Sequence, residues 1–353
     1  IVGLGTVGQG VVELLRRNAD LYASRCGRSI EVAAALVRDP ARRREFSPAG
    51  ATITSDAEAF WRVPSDLIVE VAGGVEPARV VVARALESGR DVVTANKAML
   101  AVHAPALFEL AERKRRRLFF EAAVAGGVPV IQLVTQALAA NKITAFAGIL
   151  NGTCNFILTQ MARGGSYESA LKEAQRLGFA EADPTLDVSG RDSVEKLSIL
   201  ASLAFGGSIA PDKILYDGIT KITTDDLKSA AAVGATIKLI ASARRTEHGI
   251  ELWNGPTLLP VDSPLGRITG AEMGLLVKAD AVSHMFIAGE GAGRFPTASA
   301  VVADILDAAR LFDSRPAGRL NAWPVGTPAA RIAPMMDTID QGRSGALIRP
   351  LKL

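Results

Sequence analysis

The chain has 353 residues, nearly half of them apolar but only 5% aromatic, and carries a formal charge of +3. That length allows two domains with sizeable cores, and the near-neutral balance excludes a strong field for nucleic acid or membrane surfaces. No apolar run reaches the roughly 18 residues of a membrane span, no signal peptide is visible, and Cys26 and Cys154 make no metal or disulfide motif. A reduced, cytoplasmic setting is the expectation.

Over the first 125 or so residues strand and helix patterns alternate, which predicts an α/β domain of Rossmann type with a doubly wound parallel sheet. Ile1-Val2-Gly3-Leu4 reads as a strand end, and residues 7–18 as a helix with Val7, Val11, Leu14 and Leu15 at helical spacing. Strands are predicted at residues 31–37, 66–72, 91–94 and 118–122, with a helix over 77–87 that opens on Pro77. The basic run Arg113-Lys114-Arg115-Arg116-Arg117 reads as a solvated helix end. Past Gly126-Gly127 the rhythm changes to an α+β pattern. Helices are predicted at residues 129–139, 155–161, 167–176 and 193–205, and strands at 142–150, 236–242, 250–259 and 281–288. A helix over 297–312 is expected to pack back on the first domain. From Pro316 the chain reads as irregular and draped over the surface. The expected domains are therefore 1–128 with helix 297–313 for nucleotide, 129–296 for catalysis and dimerisation, and a 314–353 tail.

Gly3-Leu4-Gly5-Thr6-Val7-Gly8 matches G-x-G-x-x-G between a strand and a helix. Gly3 allows the tight turn, Gly5 lets the backbone approach a pyrophosphate, and Gly8 allows close helix–strand packing, with the helix N-terminus at Thr6 and Val7 facing the phosphates. A purely structural glycine turn is the alternative. The second strand ends in Val37-Arg38-Asp39. An acid there suits the ribose hydroxyls of NAD and an Arg the 2′-phosphate of NADP; Arg38 comes first, so the reading leans to NADP or dual use. Lys97 follows a strand at the sheet edge where such folds bind ligands, and could reach a reacting carbonyl or the nicotinamide; an ordinary surface lysine is the alternative. Asn151-Gly152-Thr153 is either a helix cap or a set of backbone N–H groups for a substrate.

The richest segment is residues 178–196. Glu181, Asp183, Asp187 and Asp192 crowd a Gly-bounded loop, and four carboxylates so close repel unless they meet a cation or an ammonium group. Asp192 and Lys196 are four apart and share a helix face. A half-buried lysine beside a carboxylate suits acid–base work. The Gly-rich stretch 289–297 reads as a loop opening the last helix. His103, His248 and His284 have no metal or triad spacing.

With these residues in view, the chain resembles the homoserine dehydrogenase family over about residues 1–313. The motifs come in the family's order: Gly-Leu-Gly-Thr-Val-Gly at 3–8, Ala-Asn-Lys at 95–97, Asn-Gly-Thr-x-Asn-Phe-Ile-Leu at 151–158, Gly-Phe-Ala-Glu-Ala-Asp-Pro through Asp-Val-Ser-Gly-Arg-Asp to Lys196, and Gly-Ala-Gly-Arg-Phe-Pro-Thr at 291–297. The resemblance implies NAD(P)H-dependent interconversion of L-aspartate 4-semialdehyde and L-homoserine, in threonine and methionine biosynthesis. It implies Lys196 as the proton donor or acceptor and Lys97 near the nicotinamide. It puts Glu181 and Asp192 on the substrate, Asp187 nearby, Thr153 contributing backbone, and Gly178 and Gly291 against the cofactor. It further implies a sodium ion held by oxygen atoms of Glu121, Val124, Gly126 and Val128. A cytoplasmic homodimer formed through the second domain's sheet is expected, acting on a small molecule with no nucleic-acid or membrane partner. Leu186 and Phe179 replace an acid and a tyrosine found in family subgroups. No threonine-binding ACT-type domain is expected, and with it no strong allosteric inhibition by threonine. A dehydrogenase for another small amino-acid aldehyde and a redox sensor without turnover are the competing readings.

Overall fold

The computed structural model describes residues 1–314, 321–333, 340–341 and 347–351, which fall into two compact units. The first comprises Ile1–Pro129 and Gly293–Gly326. Its strands are short and parallel, and Leu67–Glu70 and Asp91–Thr94 are largely buried, as strands covered on both faces must be. Ala34–Leu36 pairs with Thr52–Thr54, and Leu67–Glu70 pairs with Asp91–Thr94, which pairs in turn with Leu118–Phe119. Val2 bridges Leu36 on one side and Glu70 on the other, and so joins the two groups.

Alternation along these strands splits the core. Val69 and Val93 join Val11, Leu14 and Leu15 of the Thr6–Arg17 helix and Val301 and Ile305 of the Arg294–Arg310 helix in one cluster. The helices Glu76–Glu87 and Lys97–Lys114 pack on each other, and the first of them also packs on the central strands. The strand expected at residues 118–122 stops at Phe119, because Glu121–Ala123 turns into a 3-10 helix. Helices Ala19–Cys26 and Ala57–Arg62 and strand Thr52–Thr54 were not expected. Each is short, and periodicity needs a longer window to speak.

The second unit comprises Val130–Ala292 and Thr327–Leu353. Its mixed sheet runs in the order Met285–Glu290, Glu272–Ala279, Ile143–Ile149, Ala235–Thr246, Gly249–Pro260, Leu347–Pro350 and Asp340–Gln341, with Leu215–Tyr216 also on Gly249–Pro260. The long pair Ala235–Thr246 and Gly249–Pro260 is an antiparallel hairpin turning at residues 247–248. Helices Gly152–Ala162 and Tyr167–Arg176 bury Ile157, Leu158, Met161, Ala170 and Ala174 with Ile237 and Leu239 of the sheet. On another part of the sheet, Ala147, Ile149 and Ile240 pack with Leu265 and Ile268.

Three expectations are corrected here. The strand expected over 281–288 begins only at Met285 and runs to Glu290, while its antiparallel partner Glu272–Ala279 was not expected. The helix over 129–139 is α-helical only at Val130–Gln132 and becomes a π-helix at Leu133–Ala137. The chain beyond Pro316 is not simply draped: Trp323 is buried and stacks on Phe108, and Leu347–Pro350 pairs in parallel with Gly249–Pro260. An indole finds more apolar area inside than a loop pattern conveys. The rest of that reading, at residues 315–320, 334–339, 342–346 and 352–353, lies outside the described residues.

Candidate active site

In the first unit the glycine motif runs from the Val2 bridge into the Thr6–Arg17 helix. Gly3 has φ of +98°, and a Cβ there would stand 2.8 Å from the Ala72 backbone. A Cβ on Gly8 would lie 2.1 Å from the Gly3 carbonyl, so helix and turn touch. Gly5 has nothing within 4 Å of its Cβ position. Open space at the second glycine, beside the N–H groups of Thr6 and Val7 in the first helical turn, is what a pyrophosphate requires. The residues present therefore fit a dinucleotide.

Arg38 follows the Ala34–Leu36 strand and is exposed. Its neighbour Asp39 is occupied locally: Oδ1 accepts from the backbone N–H groups of Ala41 and Arg42 at 2.9 and 3.2 Å. At the ends of the next two strands lies a buried network that sequence reading did not single out. Glu70 Oε1 accepts from the N–H groups of Ala72 and Gly73, and Oε2 accepts from the Thr94 hydroxyl at 2.7 Å. Burial pushes the Glu70 carboxyl above its ordinary range, against the opposing pull of those hydrogen bonds. Asn96 donates to Gly74 O at 2.6 Å and caps the helix that begins at Lys97 by accepting from Met99 N at 3.0 Å. Lys97 is half-buried.

The segment expected to hold sodium is a tight buried turn. Glu121 and Val128 are 3% and 2% exposed and Val124 is fully buried, while Ala125 and Gly126 take left-handed φ of +57° and +43°. Glu121 N–H donates to Asp304 Oδ2 at 2.9 Å. Burial, and then the charge of Glu121, push the Asp304 carboxyl well above its ordinary range. A buried carboxylate among turn carbonyls has the hard-oxygen chemistry a hard cation takes. Among the described residues no group of three or more His, Cys, Asp or Glu side chains stands ready for a metal.

In the second unit the helix Arg191–Phe205 begins two residues before the expected start, so Asp192 lies in its first turn. Asp192 and Lys196 meet: Nζ donates to Oδ2 at 2.8 Å, and to the Leu150 carbonyl at 2.7 Å. Both side chains are 11% exposed. An ammonium carries three protons. Asp192 and Leu150 take two of these. Leu150 ends the sequence that follows the Ile143–Ile149 strand, and Asn151 caps the Gly152–Ala162 helix by accepting from Cys154 N at 2.7 Å. The other end of that amide reaches both acids, Nδ2 donating to Asp187 Oδ1 at 2.7 Å and to Asp192 Oδ2 at 2.9 Å. Cys154 is fully buried beneath them; burial, then the charges of Asp187 and Asp192, push its thiol well up.

The four acids of this segment do not form one cluster. Glu181 and Asp183 are exposed. Asp183 Oδ1 accepts from the N–H and hydroxyl of Thr185, which hold its carboxyl below the usual range. Short-range bonding to its own turn wins over assembly with distant charges. Thr153 lies inside the Gly152–Ala162 helix, its hydroxyl donating to Phe179 O at 2.6 Å. Gly178 is exposed with φ of +77°. Gly291 is packed so tightly that a Cβ would overlap the Met273 side chain. Gly289 and Glu290 end a strand rather than a loop, and the last helix begins at Arg294. Sequence reading missed the Leu150 carbonyl and the Asn151 amide. Asn-Gly-Thr signals a cap, but nothing local says that the capping residue also touches acids 36 and 41 positions away.

Two family models match the chain: "Homoserine dehydrogenase" over residues 129–306 and "Homoserine dehydrogenase, NAD binding domain" over residues 3–121. The homoserine dehydrogenase of Pseudomonas aeruginosa is 46% identical over 323 residues, covering 91% of this chain and 74% of that protein. That of Neisseria gonorrhoeae is 42% identical over 339 residues, covering 95% and 78%. Among solved structures, a homoserine dehydrogenase from Thiobacillus denitrificans superposes with a TM-score of 0.88 at 42% identity, over 94% of this chain and 78% of that one. The S. aureus homoserine dehydrogenase gives 0.76 at 37% identity, over 90% and 77%.

Proposed function

The chain belongs to the homoserine dehydrogenase family, and on that premise we propose that Lys196 moves the proton in the reversible reduction of L-aspartate 4-semialdehyde to L-homoserine. When bound, the nicotinamide cofactor supplies or takes the hydride. The chain's own task is to bind, orient and handle the proton. Lys196 in its ammonium form donates to the aldehyde oxygen as that oxygen gains negative charge, and in the reverse direction its amine takes the alcohol proton. The observation that carries this is the bonding of Nζ to Asp192 and to the Leu150 carbonyl, which directs the remaining proton. Asp192, Asp187 and Glu181 are assigned to the substrate's ammonium and hydroxyl, Thr153 to its backbone contacts, and Lys97 to the nicotinamide side.

The cofactor reading is NADP in preference to NAD. Asp39, the acid best placed for ribose hydroxyls, spends a carboxylate oxygen on its own turn, whereas Arg38 is exposed. Gly3, Gly5, Thr6, Val7 and Gly8 are assigned to the pyrophosphate, and Gly178 and Gly291 to further cofactor contacts. Glu121, Val124, Gly126 and Val128 are assigned to a sodium ion, which would neutralise the charge of Glu121 in its buried turn. A cytoplasmic homodimer is part of the same reading.

Initial rates of homoserine oxidation with NADP and with NAD, with and without threonine, test it. Turnover with a lower KM for NADP, raised by Arg38→Ala, is expected. Firm NADPH binding with no oxidation of homoserine, or faster reduction of another amino-acid aldehyde, would overturn the substrate assignment.

A further inference from the structure

One amide joins the parts of the lysine site that come from three separate segments. Asn151 Nδ2 spends its two protons on two carboxylates, Asp187 at 2.7 Å and Asp192 at 2.9 Å. Asp192 Oδ2 is the same oxygen that receives Lys196 Nζ. The residue before it, Leu150, gives Lys196 its second acceptor. Asn151 itself is 2% exposed, and its Oδ1 is held by Cys154 N–H. The amide therefore cannot turn over without losing three hydrogen bonds at once, and a neutral donor stands between two acids that would otherwise face each other.

We propose that Asn151 is a positioning residue for the Lys196–Asp192 pair: it fixes where the carboxylate stands and how much negative charge the ammonium meets. This rests on the reading of Lys196 as the proton-transfer group. The charge around Lys196 is accountable element by element. Its own helix brings Asp192, and Arg191, which lies 3.9 Å from Glu195. The Thr185–Val188 turn brings Asp187 and the Gly152–Ala162 helix brings Cys154. The Leu133–Ala137 stretch packed on the helix brings no titratable group. In the two strands beneath, Lys238 is bonded to Asn155 and Ile268 O, Arg244 to Glu251, and Arg245 to Phe205 O. Asp212 and Lys213 of the neighbouring 3-10 turn face each other at 3.5 Å. Asn151 is thus a neutral donor to the two carboxylates of this group, Asp187 and Asp192.

Two substitutions separate this role from helix capping. Asn151→Ser keeps an oxygen that can cap the helix but loses both carboxylate bonds. Asn151→Asp keeps cap and shape but places a third carboxyl against the pair. For Asn151→Ser we expect kcat per folded enzyme to fall by at least about tenfold with cofactor KM nearly unchanged. For Asn151→Asp we expect the pH at which the reduction rate declines to move up by about one pH unit, because added negative charge favours the ammonium. The same displacement is expected in the 13Cε shift of Lys196, assigned by its loss in Lys196→Met. Wild-type turnover and an unmoved Lys196 titration in both variants would show that Asn151 only caps the helix, and the proposal would fall. The NMR titration needs no turnover, so a wild type inactive on homoserine would refute the reaction and still leave the role of Asn151 decided. If Asn151→Asp does not fold, the kcat and titration of Asn151→Ser decide the question.

Discussion

Gly190 and Asn254 interlock at the start of the lysine helix. Asn254 Nδ2 donates to Gly190 O at 3.1 Å, and the same nitrogen stands 2.8 Å from where a Cβ on Gly190 would be. Gly190 has φ of +86°, and Asp217 O closes the other side at 2.9 Å. The helix that carries Asp192 and Lys196 thus begins from a left-handed residue gripped by a fully buried side chain. Gly190→Ala is expected to lower stability by about 2–4 kcal/mol, from left-handed strain plus displacement of Asn254. It should lower kcat further than the loss of folded protein explains. Urea unfolding and active-site kinetics on the same sample check this; a variant as stable as wild type would refute the grip.

Lys196→Ala is expected to cut kcat by about 10²- to 10⁴-fold, the usual worth of general acid–base catalysis. NADPH affinity, read by nicotinamide fluorescence, should be kept. Lys196→Arg is expected to fail as well, since a guanidinium does not give up its proton. Near wild-type turnover in either variant would remove Lys196 from the proton path.

Gly5→Ala and Gly8→Ala should part company. A Cβ on Gly8 meets the Gly3 carbonyl at 2.1 Å, so that variant is expected to lose stability outright. A Cβ on Gly5 meets nothing, so that variant should fold as wild type and lose cofactor affinity by about tenfold or more. Unchanged NADPH binding in Gly5→Ala would argue against the pyrophosphate site.

Lys238 sets a pH dependence of stability. It is 4% exposed in the Ala235–Thr246 strand, with Nζ donating to Ile268 O at 2.7 Å and Asn155 Oδ1 at 3.1 Å. Burial lowers its pKa from 10.5 to about 8. Between those values the unfolded chain holds a proton that the folded chain has released, so stability rises with pH across that window. The contribution is complete above 10.5 and is lost as pH falls through 8. Relative to Lys238→Met, wild type should gain up to about 3 kcal/mol from pH 8 to 10.5. Urea unfolding along that series measures the difference, and a flat difference curve would show that Lys238 does not titrate with folding.

Much of the fold could be read from the residues. The glycine motif, Pro77 at a helix start and the apolar run of Leu67–Glu70 each act within one turn or one strand, where local sterics decide. So did the pairing of Asp192 with Lys196, since a four-residue spacing brings two side chains together on any helix. The strand Glu272–Ala279 was missed because Met273, Gly274 and Leu275 are buried in succession, so no polar–apolar alternation marks it. Trp323 was misread because burial is set by what packs against it, and here that is Phe108, more than 200 positions away.

What the sequence determined by itself was the chemistry on offer: a nucleotide turn at one end, and a lysine with a carboxylate one helical turn before it. What only the tertiary structure decided was which groups share that chemistry. It gave Lys196 the Leu150 carbonyl, put the Asn151 amide between Asp187 and Asp192, turned Asp183 away onto Thr185, and seated Gly190 against Asn254. The physical reason is reach. Turn and helix geometry act over a few residues, whereas a hydrogen bond needs only about 3 Å of space and is indifferent to the length of chain between its partners.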